Sequence, residues 1–61
     1  MEFIDPMLQR LAEQLDSPDP GIRRVAVMEL VDSQEPDAVK LLIRALNDED
    51  ASVREEAARM V

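Results

Sequence analysis

The sequence predicts an all-α fold in which two helical hairpins stack as four short antiparallel helices. Three observations carry this reading. Apolar residues recur at spacings of three and four, Asp or Pro punctuates the start of the runs, and the chain matches itself when slid by 31 positions. Strands are not indicated, because period-two alternation is missing and the only aromatic residue is Phe3.

The first helix is expected over about residues 6–15, with Met7, Leu8, Leu11, Ala12 and Leu15 on one stripe. Asp5 offers a carboxylate to the unpaired first-turn N–H groups. Pro6 follows in the first turn, where its missing N–H does no harm. Asp16-Ser17-Pro18-Asp19-Pro20-Gly21 then stops the helix, since each proline disfavours α geometry in the residue before it. Asp19 and Pro20 open a second helix over about 20–31. Its apolar residues Ile22, Val25, Ala26, Val27, Met28, Leu30 and Val31 cover most of its circumference, so it should have neighbours on more than one side. After Asp32-Ser33-Gln34-Glu35, Pro36 begins a third helix over about 36–46, striped by Val39, Leu42, Ile43 and Leu46. A fourth, over about 51–60, is capped by Asp50 and carries Val53, Ala57, Ala58 and Met60 on its apolar side, with Glu55 and Arg59 spaced as an i,i+4 pair. Residues 1–61 read as a single module.

The 31-residue shift superposes Leu11 on Leu42, Leu15 on Leu46, Asp19 on Asp50, Arg23 on Arg54 and Ala26 on Ala57. The similar pairs Leu8 with Val39, Ile22 with Val53 and Leu30 with Val61 fall at expected core positions. Two helix-turn-helix units in the order inner, outer, inner, outer follow from this. Side chains 31 apart should be neighbours on adjacent units, which places Glu13 beside Arg44 and Arg24 beside Glu55.

The segments Asp19-Pro20-Gly21-Ile22-Arg23-Arg24-Val25-Ala26 and Asp50-Ala51-Ser52-Val53-Arg54-Glu55-Glu56-Ala57-Ala58, each after a helix ending in Leu, resemble HEAT-like repeats of the bilin-lyase type. The likeness covers residues 5–61. It implies an α-α superhelix, here a HEAT-like solenoid fragment, and the 31-residue unit is shorter than the roughly 40–47 residues of ordinary HEAT and armadillo units. Tetratricopeptide and ankyrin repeats have similar periods, but their signatures are missing. The resemblance gives Asp19, Arg23, Asp50 and Arg54 structural work: the aspartates cap the outer helices and the arginines tie neighbouring units together. Five donors on one guanidinium suit Arg for stitching loop carbonyls and carboxylates.

Composition narrows the function. With neither Cys nor His, disulfides, thiol chemistry, Cys/His zinc sites and histidine acid–base catalysis are removed together. The compartment is then unconstrained by redox chemistry, with the cytoplasm as the default expectation. Fourteen acidic against seven basic residues, net −7, repel nucleic-acid phosphates and anionic lipid. No apolar run is long enough to span a bilayer. Leu, Ile, Val and Phe make up 17 of 61 residues, above the roughly 20% below which a highly charged chain is expected to be disordered. A chain of this size buries only about 60% of its unfolded surface, so further repeats or a partner would help it.

Catalytic groupings are not found in the sequence. Ser17 has no base to activate it, the single Gly21 makes no phosphate loop, and Glu55-Glu56 are adjacent rather than facing, as on a solvated face. Asn47-Asp48-Glu49-Asp50 lacks the glycine and distant glutamate of a calcium loop, so capping explains it better than metal. No cofactor or metal is expected. Leu41, Val25 and Met28 align with Arg10, Glu56 and Arg59, apolar where the other copy carries charge, and interior packing is the preferred explanation over an exposed patch. A non-enzymatic module that binds a protein partner follows. Its surface would be the inner helices, where Gln9, Arg10, Glu13, Asp37, Lys40, Leu41 and Arg44 project. Partly apolar outer flanks on helices 1 and 4 would make it a homo-oligomer or part of a longer array. The alternative is an accessory subunit resembling bilin-lyase or phycobilisome-degradation proteins, with a pigment-protein as client. A sequence idealised to a repeat consensus fits less well, given the low identity between units.

Overall fold

The computed structural model describes residues 5–59. Among them the chain runs α1 (Pro6–Gln14), α2 (Pro20–Ser33), α3 (Ala38–Ala45) and α4 (Ala51–Ala58). The expected pairing of Leu30 with Val61, and the place of Met60 on the fourth helix, lie outside the described residues.

Three of the four helices begin on an aspartate in extended backbone whose carboxylate accepts a first-turn N–H: Asp5 from Met7, Asp19 from Gly21 and Asp50 from Ser52, each at 2.8 Å. These groups would otherwise be orphaned at a helix start. α3 starts differently. Asp37 sits in right-handed helical backbone without a side-chain cap, and the N–H groups of Ala38, Val39 and Lys40 bond to the carbonyls of Glu35, Pro36 and Asp37. The entry is therefore a tight i,i−3 turn, and regular helix begins at Ala38 rather than Pro36. α2 runs on past Val31 to Ser33 and stops where Gln34 turns left-handed, at φ 58° and ψ 16°.

Leu8, Leu11, Leu15, Ala26, Val27, Leu30, Ala38, Leu41, Leu42, Ala45, Val53 and Ala57 form one core to which every helix contributes. α2 is the hub, packed against α1, α3 and α4, as its nearly all-round apolar sequence requires. Two of the residues matched as core pairs between the units are not in it. Ile22 and Val39 are 44% and 46% exposed, whereas their repeat partners Val53 and Leu8 are buried. Each exposed residue lies on a flank of the two-hairpin stack where its counterpart has a hairpin against it. The partly apolar flanks consequently lie mainly on α2 (Ile22, Val25) and α3 (Val39, Ile43); the first helix contributes Met7, and α4 adds no large exposed apolar side chain among the described residues.

Candidate protein-interaction surface

Stacking sets one face of α1 alongside one face of α3. Between them runs an open groove of about 300 Å³ lined by Gln9, Ala12, Glu13, Asp16, Lys40, Leu41 and Arg44. Five of the seven residues expected to form a partner surface thus line a common groove. Leu41 does so as a buried residue, 5% exposed, because it packs into the core instead of projecting. Arg10 lies outside the groove lining and pairs with Glu29 of α2 at 3.7 Å. Asp37 lies at the head of α3, 3.9 Å from Lys40. Asp16, which the periodic pattern did not single out, closes the groove by pairing with Arg44.

The pairing differs from the simple 31-residue rule. Arg44 meets Asp16, not Glu13, and Arg24 approaches Glu56 at 3.9 Å, not Glu55. The arginines do link successive units, but onto a carboxylate one turn or one residue away. Glu56 is 7% exposed and also takes Arg59 at 3.1 Å, which displaces the expected Glu55–Arg59 pair. A solvated-face reading of Glu56 therefore fails: it is a buried carboxylate bracketed by two guanidinium groups. Of the three apolar-for-charged positions, Leu41 is interior, while Val25 and Met28 are 55% and 43% exposed.

Arg23 and Asp48 form the most buried ion pair among the described residues. Arg23, 7% exposed, donates from Nε and Nη2 to the two carboxylate oxygens of Asp48, at 3.0 and 3.2 Å, and from Nη1 to the Ser17 carbonyl at 2.7 Å. The α1–α2 and α3–α4 loops are thereby tied to the start of α2. Burial pushes the Asp48 carboxyl upward, but hydrogen bonds from Arg23 and from the Asp50 N–H outweigh it, so its pKa lies below the ordinary carboxylate range. Asp50 is likewise lowered, first by the Ser52 hydroxyl and then by the N–H groups it caps. Hydrogen bonding to Asp48 holds Arg23 above its ordinary value. Arg54 repeats half of this arrangement, donating from Nη1 to the Asp48 carbonyl at 2.6 Å, but among the described residues it has no carboxylate and is exposed.

With Asp48 and Asp50 both occupied in this way, the acidic loop works as a structural joint. Among the described residues no three His, Cys, Asp or Glu side chains converge as a metal site, and no helix is long and apolar enough to cross a membrane. Two tandem hairpins, joined by the buried Arg23–Asp48 pair and sharing one core, define a helical-repeat protein. A family model described as HEAT repeats matches residues 8–61, and the chain belongs to that family. Searches of curated proteins and of solved structures find no significant match. Repeats of this family generally mediate protein–protein contacts or scaffolding.

Proposed function

We propose that the chain is a non-catalytic interaction module that holds a protein partner in the groove between α1 and α3. The observation that carries this reading is the groove itself. Ala12 and Leu41 supply an apolar floor, and Gln9, Glu13, Lys40 and the Arg44–Asp16 pair supply polar walls of both signs. Such a floor suits an apolar anchor from a short partner segment, and the mixed walls select its flanking polar groups. A partner retained on the wild-type chain should be lost with Ala12→Arg, which raises a charged chain from the floor, and with Arg44→Glu. Asp32→Lys, away from the groove, should keep it. Retention by both groove variants, with helicity intact by circular dichroism, would remove the assignment.

The bilin-lyase-like subtype is supported by the short 31-residue unit and the spacing of Asp19 with Arg23 and Asp50 with Arg54. On that reading the partner is a pigment-protein. Titrating the chain into a tetrapyrrole-bearing protein should then shift the pigment's absorption band, and an unchanged spectrum rejects the subtype while leaving the groove untouched.

A further inference from the structure

The single junction inside this molecule, between the α1–α2 hairpin and the α3–α4 hairpin, is a template for a second one. On the α3–α4 side it covers Ala38, Leu41, Val53 and Glu56, which are 2%, 5%, 0% and 7% exposed. Moved back by 31 residues, these positions become Met7, Arg10, Ile22 and Val25, all exposed on the rear flank. On the α1–α2 side the junction covers Leu8 and Arg23 and partly covers Ala12. Moved forward, these become Val39, Ile43 and Arg54, all exposed on the front flank. The molecule therefore presents both halves of an interface it already makes once, in the orientation that brings front to rear.

We propose that a second copy of this chain docks head to tail, its Ile22 and Val25 seated on α4 of the first beside Arg54, as α4 packs on α2 inside the molecule, with its Met7 toward Val39 and Ile43. The contact is heterologous, so it leaves a free front and a free rear on every assembly and does not stop at two copies. One element of the internal junction is missing from it. Arg23 grips the carboxylate of Asp48, but the residue that stands in that place for Arg54 is Ser17 of the incoming copy. Ser17 and Asp48 otherwise do the same local work. Each side chain accepts the N–H two residues on (Asp19 at 3.1 Å, Asp50 at 2.9 Å), and each carbonyl accepts the arginine six residues on. The head-to-tail contact is thus a weaker version of the internal one, lacking a bidentate ion pair and made between chains of net charge −7.

Ser17→Asp should restore the pair. The sign of the outcome is diagnostic, because one more negative charge on an acidic chain weakens any unspecific association, whereas a carboxylate delivered to Arg54 strengthens this one. Sedimentation equilibrium from micromolar to about 1 mM chain, at about 0.15 M salt, reads it. The weight-average mass of the wild type should climb from 6.9 kDa past twice that value. Ser17→Asp should move the rise to about tenfold lower concentration, and adding Arg54→Ala should cancel the gain. Val25→Glu, which sets a carboxylate against Glu55 of the neighbouring copy, should abolish the rise, with circular dichroism confirming that the variant is folded. Ser17 and Val25 lie outside the α1–α3 groove, so the result is independent of the function proposed above. A mass that stays at 6.9 kDa throughout, a plateau at two copies, or a Ser17→Asp chain that associates no better than wild type overturns the proposal.

Discussion

Arg23 is the residue on which the two hairpins depend most. Its guanidinium is buried between a carboxylate and a carbonyl from two different loops, so truncation leaves Asp48 partly buried without its counter-charge. Arg23→Ala should lower the thermal midpoint by about 10 °C, and Arg23→Lys should recover only part of that because an ammonium cannot reproduce the planar fork. Arg54→Ala, at the exposed equivalent position, should shift the midpoint by no more than about 3 °C. Differential scanning calorimetry of the three variants tests the contrast. Asp48 and Asp50 set the acid limb of stability. Both pKa values are lowered in the folded chain, so the stability they contribute is present above the unfolded carboxylate value of about 3.9 and is lost as pH falls below it through the folded values. Urea midpoints taken between pH 5 and 2 should fall steeply for the wild type and less steeply for Asp48→Asn. At this scale the caps were legible, because Asp5, Asp19 and Asp50 act on N–H groups two residues away. The bond between Arg23 and Asp48 spans 25 residues and was not, since Ser17, the repeat equivalent of Asp48, carries no charge to signal it.

Among the helices, α2 is the one whose end departs most from expectation. It closes at Gln34 in left-handed backbone, a conformation that glycine adopts freely and a side chain with a Cβ does not. Gln34→Gly should therefore stabilise the chain by about 0.5–1 kcal/mol, the relief of strain exceeding the added freedom of the unfolded chain. Chemical denaturation measures it, and a loss of stability would show that the Gln34 side chain has a role its exposed position does not reveal. The stop was hard to place because the usual signal, a glycine just past the last turn, is missing and Asp32-Ser33 remain compatible with one more turn of helix. The start of α3 lies two residues later than Pro36 suggests, for a related reason. Pro36 is a good first-turn residue, but here it sits in the i,i−3 turn that feeds the helix. α2 has the several neighbours its sequence predicts, since Ala26, Val27 and Leu30 on one side and Ile22, Val25 and Met28 on others spread apolar residues round most of it.

At the level of the whole molecule, the twelve core side chains among the described residues hold four helices together, and small losses should be felt everywhere. Leu11 is completely buried, and Leu11→Ala should cost about 3 kcal/mol. A 61-residue domain has a total stability of only about 3–9 kcal/mol. Loss of cooperative unfolding in urea is the expected result, with a milder effect for Ala45→Gly near the end of α3. The same smallness gives the flanks their importance, because Ile22, Val25, Val39 and Ile43 remain outside a core that cannot reach them. Burying them against another unit would add to the stability of this fold.

Helix number, the capping aspartates, the 31-residue period and the shared core of Leu11, Leu15, Leu42 and Ala57 were all decided by local chemistry, which is why they could be read from the sequence. Periodicity of three and four, a carboxylate beside an orphan N–H, and a proline in the first turn each act within about one turn of helix. Partners across the hairpins were decided only in three dimensions. One turn of slip between neighbouring helices, about 5.4 Å, moves Arg44 from Glu13 to Asp16, and a one-residue offset moves Arg24 from Glu55 to Glu56. Coverage was decided there as well: Val53 and Ile22 are nearly the same side chain in the same motif, and one is buried because a hairpin lies against it while the other faces open flank.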